Sequence, residues 1–459
     1  MSKENQVNRR TFLSRSGKIA AGAGAAVLAA PAIGCAGFNR LSGKAGASAA
    51  VLAAPAINVL GANEKILLGV IGPGRRGSYL MLQTQTMAQQ SGKEVEFIAV
   101  ADDFEGWRKR GVDIAKKTAE HDVTGYDDYK KLLENKDVQG VILATPEHQH
   151  AYQMIDVIKA GKDMYVEKPM VHTVEEGKQV VKEAGKTKCI IQVGTQRRSV
   201  DLYGKANQMV KDGVIGKVTF CQAWWYRNFN DKKQPEWAWR YVIPEGADEK
   251  SINWKKFCDP TKEVPFDIKR YFQWRCYWEY SNGIGSDLMV HEVDAVNMVM
   301  GTGFPKTFVS SGDIYRWKDG RTTCDTWTTV LEYEEGFQCV FNSSFSNSQG
   351  DDQNNYGCRI CGTDGTLEIK THQTLKVFPE PDSVRSKEVK PMEIQASTEG
   401  VNGAVRAHLE NFVDCMKSRK KPNCDVATGY VGASLSAIAV EAYKQGRRLT
   451  WDKKKETYS

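Results

Sequence analysis

Long apolar runs are scarce in this chain of 459 residues. Its mean hydropathy of −0.47 excludes a polytopic membrane protein. Histidine is sparse as well: seven residues, dispersed, with no second His or Cys pair at zinc spacing, so no metal site is expected. The eleven cysteines are odd in number and irregularly placed, which is not the pattern of a small disulfide scaffold. The tempting pair, Cys358 and Cys361, lies in a strand-like run where residues three apart point to opposite faces. A charge excess is missing from the body of the chain. Residues 1–62 carry Lys3, Arg9, Arg10, Arg15, Lys18, Arg40 and Lys44 against Glu4 alone, so +6 of the formal +7 sits there. The remainder nets +1, which leaves no electrostatic footprint for nucleic acid.

That basic first segment reads as an address. Asn8-Arg9-Arg10-Thr11-Phe12-Leu13 is a twin-arginine core followed by a weakly apolar, glycine-interrupted stretch. It resembles the signal of the twin-arginine export route, which implies a periplasmic or secreted protein and the export machinery as a partner. The run AAVLAAPAI at 25–33 recurs at 49–57, a local duplication rather than a structural repeat. Cleavage after Ala62 would leave a mature start at Asn63; lipid anchoring at Cys35 is the lesser option, because its lipobox is poor. Residues 1–62 are therefore set apart as a leader.

Beyond the leader the chain reads as a dinucleotide fold. Lys65–Ile71 is a short continuous apolar run, as in a strand buried on both faces. It leads into Gly72-Pro73-Gly74-Arg75-Arg76-Gly77 and then a helix-like stretch. In such a turn Gly72 makes the bend, Gly74 lets backbone approach a pyrophosphate and Gly77 packs helix on strand, with the helix N-terminus toward the phosphates. The next strand ends in Asp102-Asp103, near the offset expected for a carboxylate on the adenosine ribose. A carboxylate there favours NAD over NADP, while Arg108 and Lys109 keep NADP open. Further apolar strands end in Thr145-Pro146-Glu147-His148-Gln149-His150 and in Glu167-Lys168-Pro169. Alternating strands and helices imply a doubly wound parallel sheet, with ligands beyond its carboxyl edge.

These three motifs in this order resemble the Gfo/Idh/MocA family, and the likeness extends to about Asp452. Twin-arginine members form a subgroup that this chain resembles. The resemblance implies a Rossmann domain at 63–190 and an α+β substrate domain with a large, mostly antiparallel sheet at 191–445, then a tail at 446–459. Helix-free strands from Val218 onward agree with that sheet, whereas the insert Asn228–Phe272 shows no periodicity. The resemblance also implies a dimer or tetramer.

Asp287, His291 and Asp294 recur at i, i+4 and i+7, so one helix face is expected to present all three. The family resemblance assigns Lys168 beside the nicotinamide and the reacting carbinol, His291 as general base, and Asp287 as a partner in binding or orientation. It implies cofactor contacts from Gly72, Gly74, Arg76, Gly77, Asp102, Thr145, Pro146, His150, Glu167 and Lys168. Oxidising a secondary alcohol requires removing its hydroxyl proton, which suits histidine, while a lysine stabilises the developing alkoxide. Glu292 and Asp294 are expected to be solvated or capping.

Aromatics crowd the same region (Trp224, Trp225, Tyr226, Trp237, Trp239, Tyr241, Trp254, Trp274, Tyr277 and Trp278), where they suit either sugar faces or sheet packing. Arg240 and Arg275 suit an acidic or hydroxyl-rich substrate. The expected activity is NAD-dependent oxidoreduction of a sugar, cyclitol or glycoside, redox-neutral with retained cofactor. The cleavage variant needs a further acid or base, for which Tyr277, Glu279 and His150 are candidates. The alternative is a non-catalytic carbohydrate-binding protein on the same fold.

Overall fold

The computed structural model describes residues 65–228, 235–350 and 354–459; the leader, with its twin arginines and Cys35, lies outside them. Six parallel strands form the first sheet: β1 (Ile66–Ile71), β2 (Val95–Ala101), β3 (Thr124–Tyr126), β4 (Gly140–Leu143), β5 (Asp163–Val166) and β6 (Ile191–Val193). Their spatial order is β3-β2-β1-β4-β5-β6, which places the reversal of winding between β1 and β4. The apolar runs explain the layering, since β4 and β5 are buried at every position. The first domain therefore extends past residue 190: Ile191 pairs with Met164, making β6 the edge strand of the parallel sheet.

The second sheet contains β7 (Val218–Arg227), β8 (Thr307–Asp313), β9 (Thr326–Glu332), β10 (Gln338–Ser344), β11 (Asn354–Gly362), β12 (Gly365–Lys370), β13 (Thr374–Pro379), β14 (Met392–Gln395), β15 (Leu449–Asp452) and β16 (Thr457–Tyr458). The order runs β14-β13-β12-β11-β7-β10-β9-β8-β15-β16, antiparallel except where β10 lies parallel to β7. Strict burial alternation along β9 and β10 gives this sheet one covered face. Residues 446–459 are no tail, since Leu449 pairs with Phe308 and Trp451 with Tyr458. The helix Gly400–Ser418 returns to the first domain, where Leu409, Phe412 and Met416 share a core with Leu68 and Leu80.

The insert lacks periodicity because it folds as short pieces. A 3-10 turn at Pro235–Ala238 precedes two five-residue helices, Trp254–Cys258 and Ile268–Phe272, started by the side-chain caps Asn253 and Asp267. Its backbone accepts hydrogen bonds from the first domain: the Phe257 carbonyl lies 2.6 Å from His148 Nε2. Among the described residues no helix is long and apolar enough to cross a membrane.

The glycine turn is set by contact distance. Gly72 sits at φ +79°, and a Cβ on Gly77 would lie 2.1 Å from the Gly72 carbonyl oxygen. Gly77→Ala is therefore expected to lower stability by about 1–3 kcal/mol, read as a fall in Tm, and to weaken NAD binding.

Candidate active site

A cavity of about 630 Å³ opens at the carboxyl edge of the parallel sheet, lined on one side by Gly72, Gly74, Asp102, Thr145 and Pro146. Phe257, Tyr271, Phe272 and Trp274 of the insert and its flank line the other side. Gly74 is the N-cap of the helix Arg75–Ser91; no side chain caps that end, and its first turn holds no acid. A Cβ on Gly74 would meet nothing closer than 3.8 Å, so the space before these amide groups is open. Unsatisfied N–H groups facing an open cavity suit a pyrophosphate. Asp102 stands at the ribose end, its Oδ1 accepting the Phe104 amide at 2.8 Å. Burial pushes Asp102 up to about 7 and Asp103 up to about 6. Arg108 instead donates to the Asp102 carbonyl, and Lys109 pairs with Glu105 on the surface. The residues present fit NAD.

A second cavity of about 250 Å³ shares Arg76, Trp237, Arg275 and Val401 with the first. It contains the expected chemistry: Glu167, Lys168, Asp287 and His291 all line it. Lys168 Nζ donates to Asp287 Oδ1 at 2.7 Å and to the Asp287 carbonyl at 2.9 Å. Asp287 also receives Arg275 Nε at 3.1 Å and Trp239 Nε1 at 3.0 Å. Lys168, Arg275 and Arg227 together hold the Asp287 carboxyl far below the carboxylate range despite its burial. Arg76, which lines both cavities, donates to Glu167 at 2.7 Å. His291 has no hydrogen-bond partner among the described residues; burial first, then Lys168 and Arg197, keeps its imidazole neutral.

Several expectations need correcting. Asp287 lies in a π-helical turn, Gly285–Met289, that leads into the α-helix Val290–Met300. The wider turn changes the angular step, so Asp287 and His291 share the cavity while Asp294 does not. Asp294 and Glu292 are neither solvated nor capping. Both are buried, Glu292 against Arg197 and Asp294 against Arg198 at 2.6 Å. His150 is not at the cavity wall; its ring nitrogens face the Pro169 and Thr145 carbonyls at 2.7 and 2.8 Å, behind the wall. Gly77 likewise acts through packing, since it does not line the cavity. Tyr277 and Glu279 both engage Arg270, and Arg240 lies against Asp319 and Trp317, all away from the two cavities.

The aromatic window divides. Trp225, Trp237, Tyr241 and Trp274 line the cavities, while Trp224 binds Asn355 and Trp278 packs on Tyr443. Sequence reasoning missed four contributors. Glu147 accepts from Ser286 at 2.6 Å, Ser281 at 3.0 Å and the Asn282 amide at 3.1 Å, docking the segment before Asp287 onto the first domain. Arg197, Arg227 and His372 reach the second cavity from a 3-10 turn, a strand end and a hairpin turn, and no local pattern marks them.

Removing one member of a buried ion pair leaves the other charge uncompensated. Asp287→Ala is expected to cost about 3–5 kcal/mol in thermal unfolding. An ionised carboxylate accepts the ribose hydroxyls better than a protonated one, so NAD affinity, measured by calorimetry, is expected to rise with pH through about 7. Asp102→Asn should flatten that rise.

Comparison with known proteins agrees with this geometry. Residues 66–195 match the oxidoreductase family's NAD-binding Rossmann fold, and residues 260–451 match its C-terminal alpha/beta domain. A scyllo-inositol 2-dehydrogenase (NAD(+)) of Bacillus subtilis is 23% identical over 396 residues, covering 85% of this chain and 98% of the relative. A glycosyl hydrolase family 109 protein of Akkermansia muciniphila is 28% identical over 170 residues, 35% of this chain and 33% of its own. Levoglucosan dehydrogenase in complex with NADH and levoglucosan superposes with a TM-score of 0.65 at 17% identity, over 84% of this chain and 99% of that one, which shows the shared fold. With both halves matched in order, this chain belongs to the Gfo/Idh/MocA oxidoreductase family, whose first domain binds NAD.

Proposed function

We propose that this protein uses NAD to oxidise a secondary alcohol of a sugar, cyclitol or glycoside, and returns the hydride before product leaves. The observation that carries this reading is the position of Lys168 and His291 in a cavity that adjoins the dinucleotide cavity and shares four lining residues with it. A nicotinamide held in the first cavity would supply the acceptor for the carbinol hydride. An ammonium has three donors, and Asp287 occupies two of those on Lys168, its carboxylate and its carbonyl. The third is available to the substrate hydroxyl and to the alkoxide that develops from it. His291 is neutral, as a base must be, and lines the same cavity to receive the hydroxyl proton. Asp287 aims the ammonium, and its negative charge offsets the imidazolium formed when His291 takes the proton.

The leader supports the redox-neutral part. A twin-arginine signal exports protein already folded, to a compartment where no soluble nicotinamide pool is expected. A cofactor loaded beforehand must then be regenerated within each cycle. Oxidation of one sugar coupled to reduction of another meets that requirement. So does glycoside cleavage by oxidation, elimination, hydration and reduction, for which paired glycosidase carboxylates are unnecessary. The relatives named for scyllo-inositol, levoglucosan and glycosyl hydrolysis fit this substrate class. Export to the periplasm and assembly into a homo-oligomer are part of the same proposal.

The test is single-turnover nicotinamide reduction in NAD-loaded protein, across cyclitols, anhydrosugars and glycosides. His291→Asn and Lys168→Met are each expected to slow it about 10²–10⁴-fold with NAD still bound. The acid limb of the wild-type pH profile should lie well below the ordinary histidine value of 6.5, because burial holds His291 neutral to lower pH. Wild-type rates in either variant would refute the assignment.

A further inference from the structure

The second cavity holds more positive charge than negative. Arg76, Lys168, Arg197, Arg227 and Arg275 line it, against the carboxylates of Glu167 and Asp287. Two of these cations are matched one to one, Arg76 by Glu167 and Arg197 by Glu292. Lys168 and Arg275 instead share Asp287, at 2.7 and 3.1 Å. Arg227, at the end of β7, adds to the field on that same carboxylate. Glu147 lies behind this segment and does not line the cavity; its oxygens are taken by Ser286, Ser281 and the Asn282 amide. Burial holds His291 and His372 neutral, so neither changes the balance. One carboxylate therefore serves both Lys168 and Arg275 beside the reacting centre.

A buried charge without its counterpart is costly, so a site with a cationic excess is completed by an anion. The chemistry does not supply one. The hydroxyl proton that leaves the substrate stays in the site on His291, so no lasting negative charge develops there. The cofactor does not supply one either. NAD carries its negative charge on the pyrophosphate, which suits the open amide groups beyond Gly74. Its nicotinamide is cationic when oxidised and neutral when reduced. The remaining source in the productive complex is the substrate.

Arg275 is the cation best placed to meet such an anion. The 3-10 turn Trp274–Cys276 carries it, and Thr323 Oγ1 donates to its carbonyl at 3.0 Å. Its guanidinium lies 4.1 Å from the Trp274 ring centroid, and its Nε is engaged by Asp287. Nη1 and Nη2 have no hydrogen-bond partner among the described residues, and the side chain stays 19% exposed where the two cavities share it. A planar fork fixed by its face and by Nε can take a carboxylate through two parallel bonds. Arg197 adds an independent observation. It is 3% exposed and lines the same cavity, and its buried Nη1 has no partner among the described residues.

We propose that the substrate is an acidic sugar or its glycoside, such as a uronate, and that Nη1 and Nη2 of Arg275 receive its carboxylate. This rests on the function proposed above and names its substrate class. Because Asp287 holds Arg275 and Lys168 together, the bound carboxylate is tied to the group that meets the reacting hydroxyl.

The experiment follows nicotinamide reduction in NAD-loaded protein with matched probes: methyl glucuronide and galacturonide against their uronamides, which keep the shape and lose the charge. Neutral cyclitols, anhydrosugars and glycosides complete the panel. Wild type should favour the acid of a pair by about tenfold or more in apparent affinity, the effect of a hydrogen bond to a charged group. Arg275→Lys keeps a cation against Asp287 but loses the fork, and should cut that preference about tenfold with NAD still bound. Equal affinity for acid and amide in wild type, or reduction by neutral probes alone, would overturn the inference while leaving the oxidoreductase function standing. So would an unchanged preference in Arg275→Lys, including one accompanied by loss of bound NAD, which would assign the fork to the dinucleotide. No reduction with any probe would instead overturn the function proposed above, and the inference with it.

Discussion

The ion pair between Lys168 and Asp287 is the constraint on which the rest of the site depends. Lys168 ends a strand of the parallel sheet, Asp287 begins a helix of the second domain, and the 2.7 Å contact spans the seam between them. A carboxylate buried alone would be neutralised; with Lys168, Arg275 and Trp239 filling its acceptor sites, Asp287 stays ionised away from water. The seam is fastened on either side by related contacts. Glu147 gathers two hydroxyls and an amide just before Asp287, and Arg197 and Arg198 take Glu292 and Asp294 just after it. The segment around Asp287 is thus docked along its length, and His291 lines the cavity with no hydrogen-bond partner among the described residues.

This arrangement explains why some of the site was legible in the sequence. Strands buried on both faces write themselves as continuous apolar runs, and a turn that brings a Cβ within 2.1 Å of a carbonyl admits only glycine at residue 77. Such local requirements leave local patterns. Lys168, Asp287 and His291 were singled out because Glu-Lys-Pro and the Asp-x-x-x-His spacing resemble the family's motifs; helical spacing alone reads equally as a core histidine. The pairing of Glu292 and Asp294 with two arginines nearly a hundred residues earlier leaves no such trace, and their charges alone suggested solvent. Helical spacing also misled at Asp294, because the π turn at Gly285–Met289 breaks the angular count on which the i+7 argument rests.

The insert shows the same limit from another side. It has no long element, so no period, yet Phe257, Tyr271 and Phe272 wall the dinucleotide cavity opposite the glycine turn. Two of these aromatics pack on Phe104, just after Asp102-Asp103, which joins the wall to the ribose end of the sheet. A dinucleotide bound there would lie between the glycine turn and the aromatic wall. Retention of the cofactor through export is the proposal that the +6 leader and this wall both support.

The most direct test of that account is to purify the mature chain with no nicotinamide added, denature it and measure the dinucleotide released per chain. The account predicts close to one equivalent of NAD. No released dinucleotide, together with no binding when NAD is supplied, would contradict it.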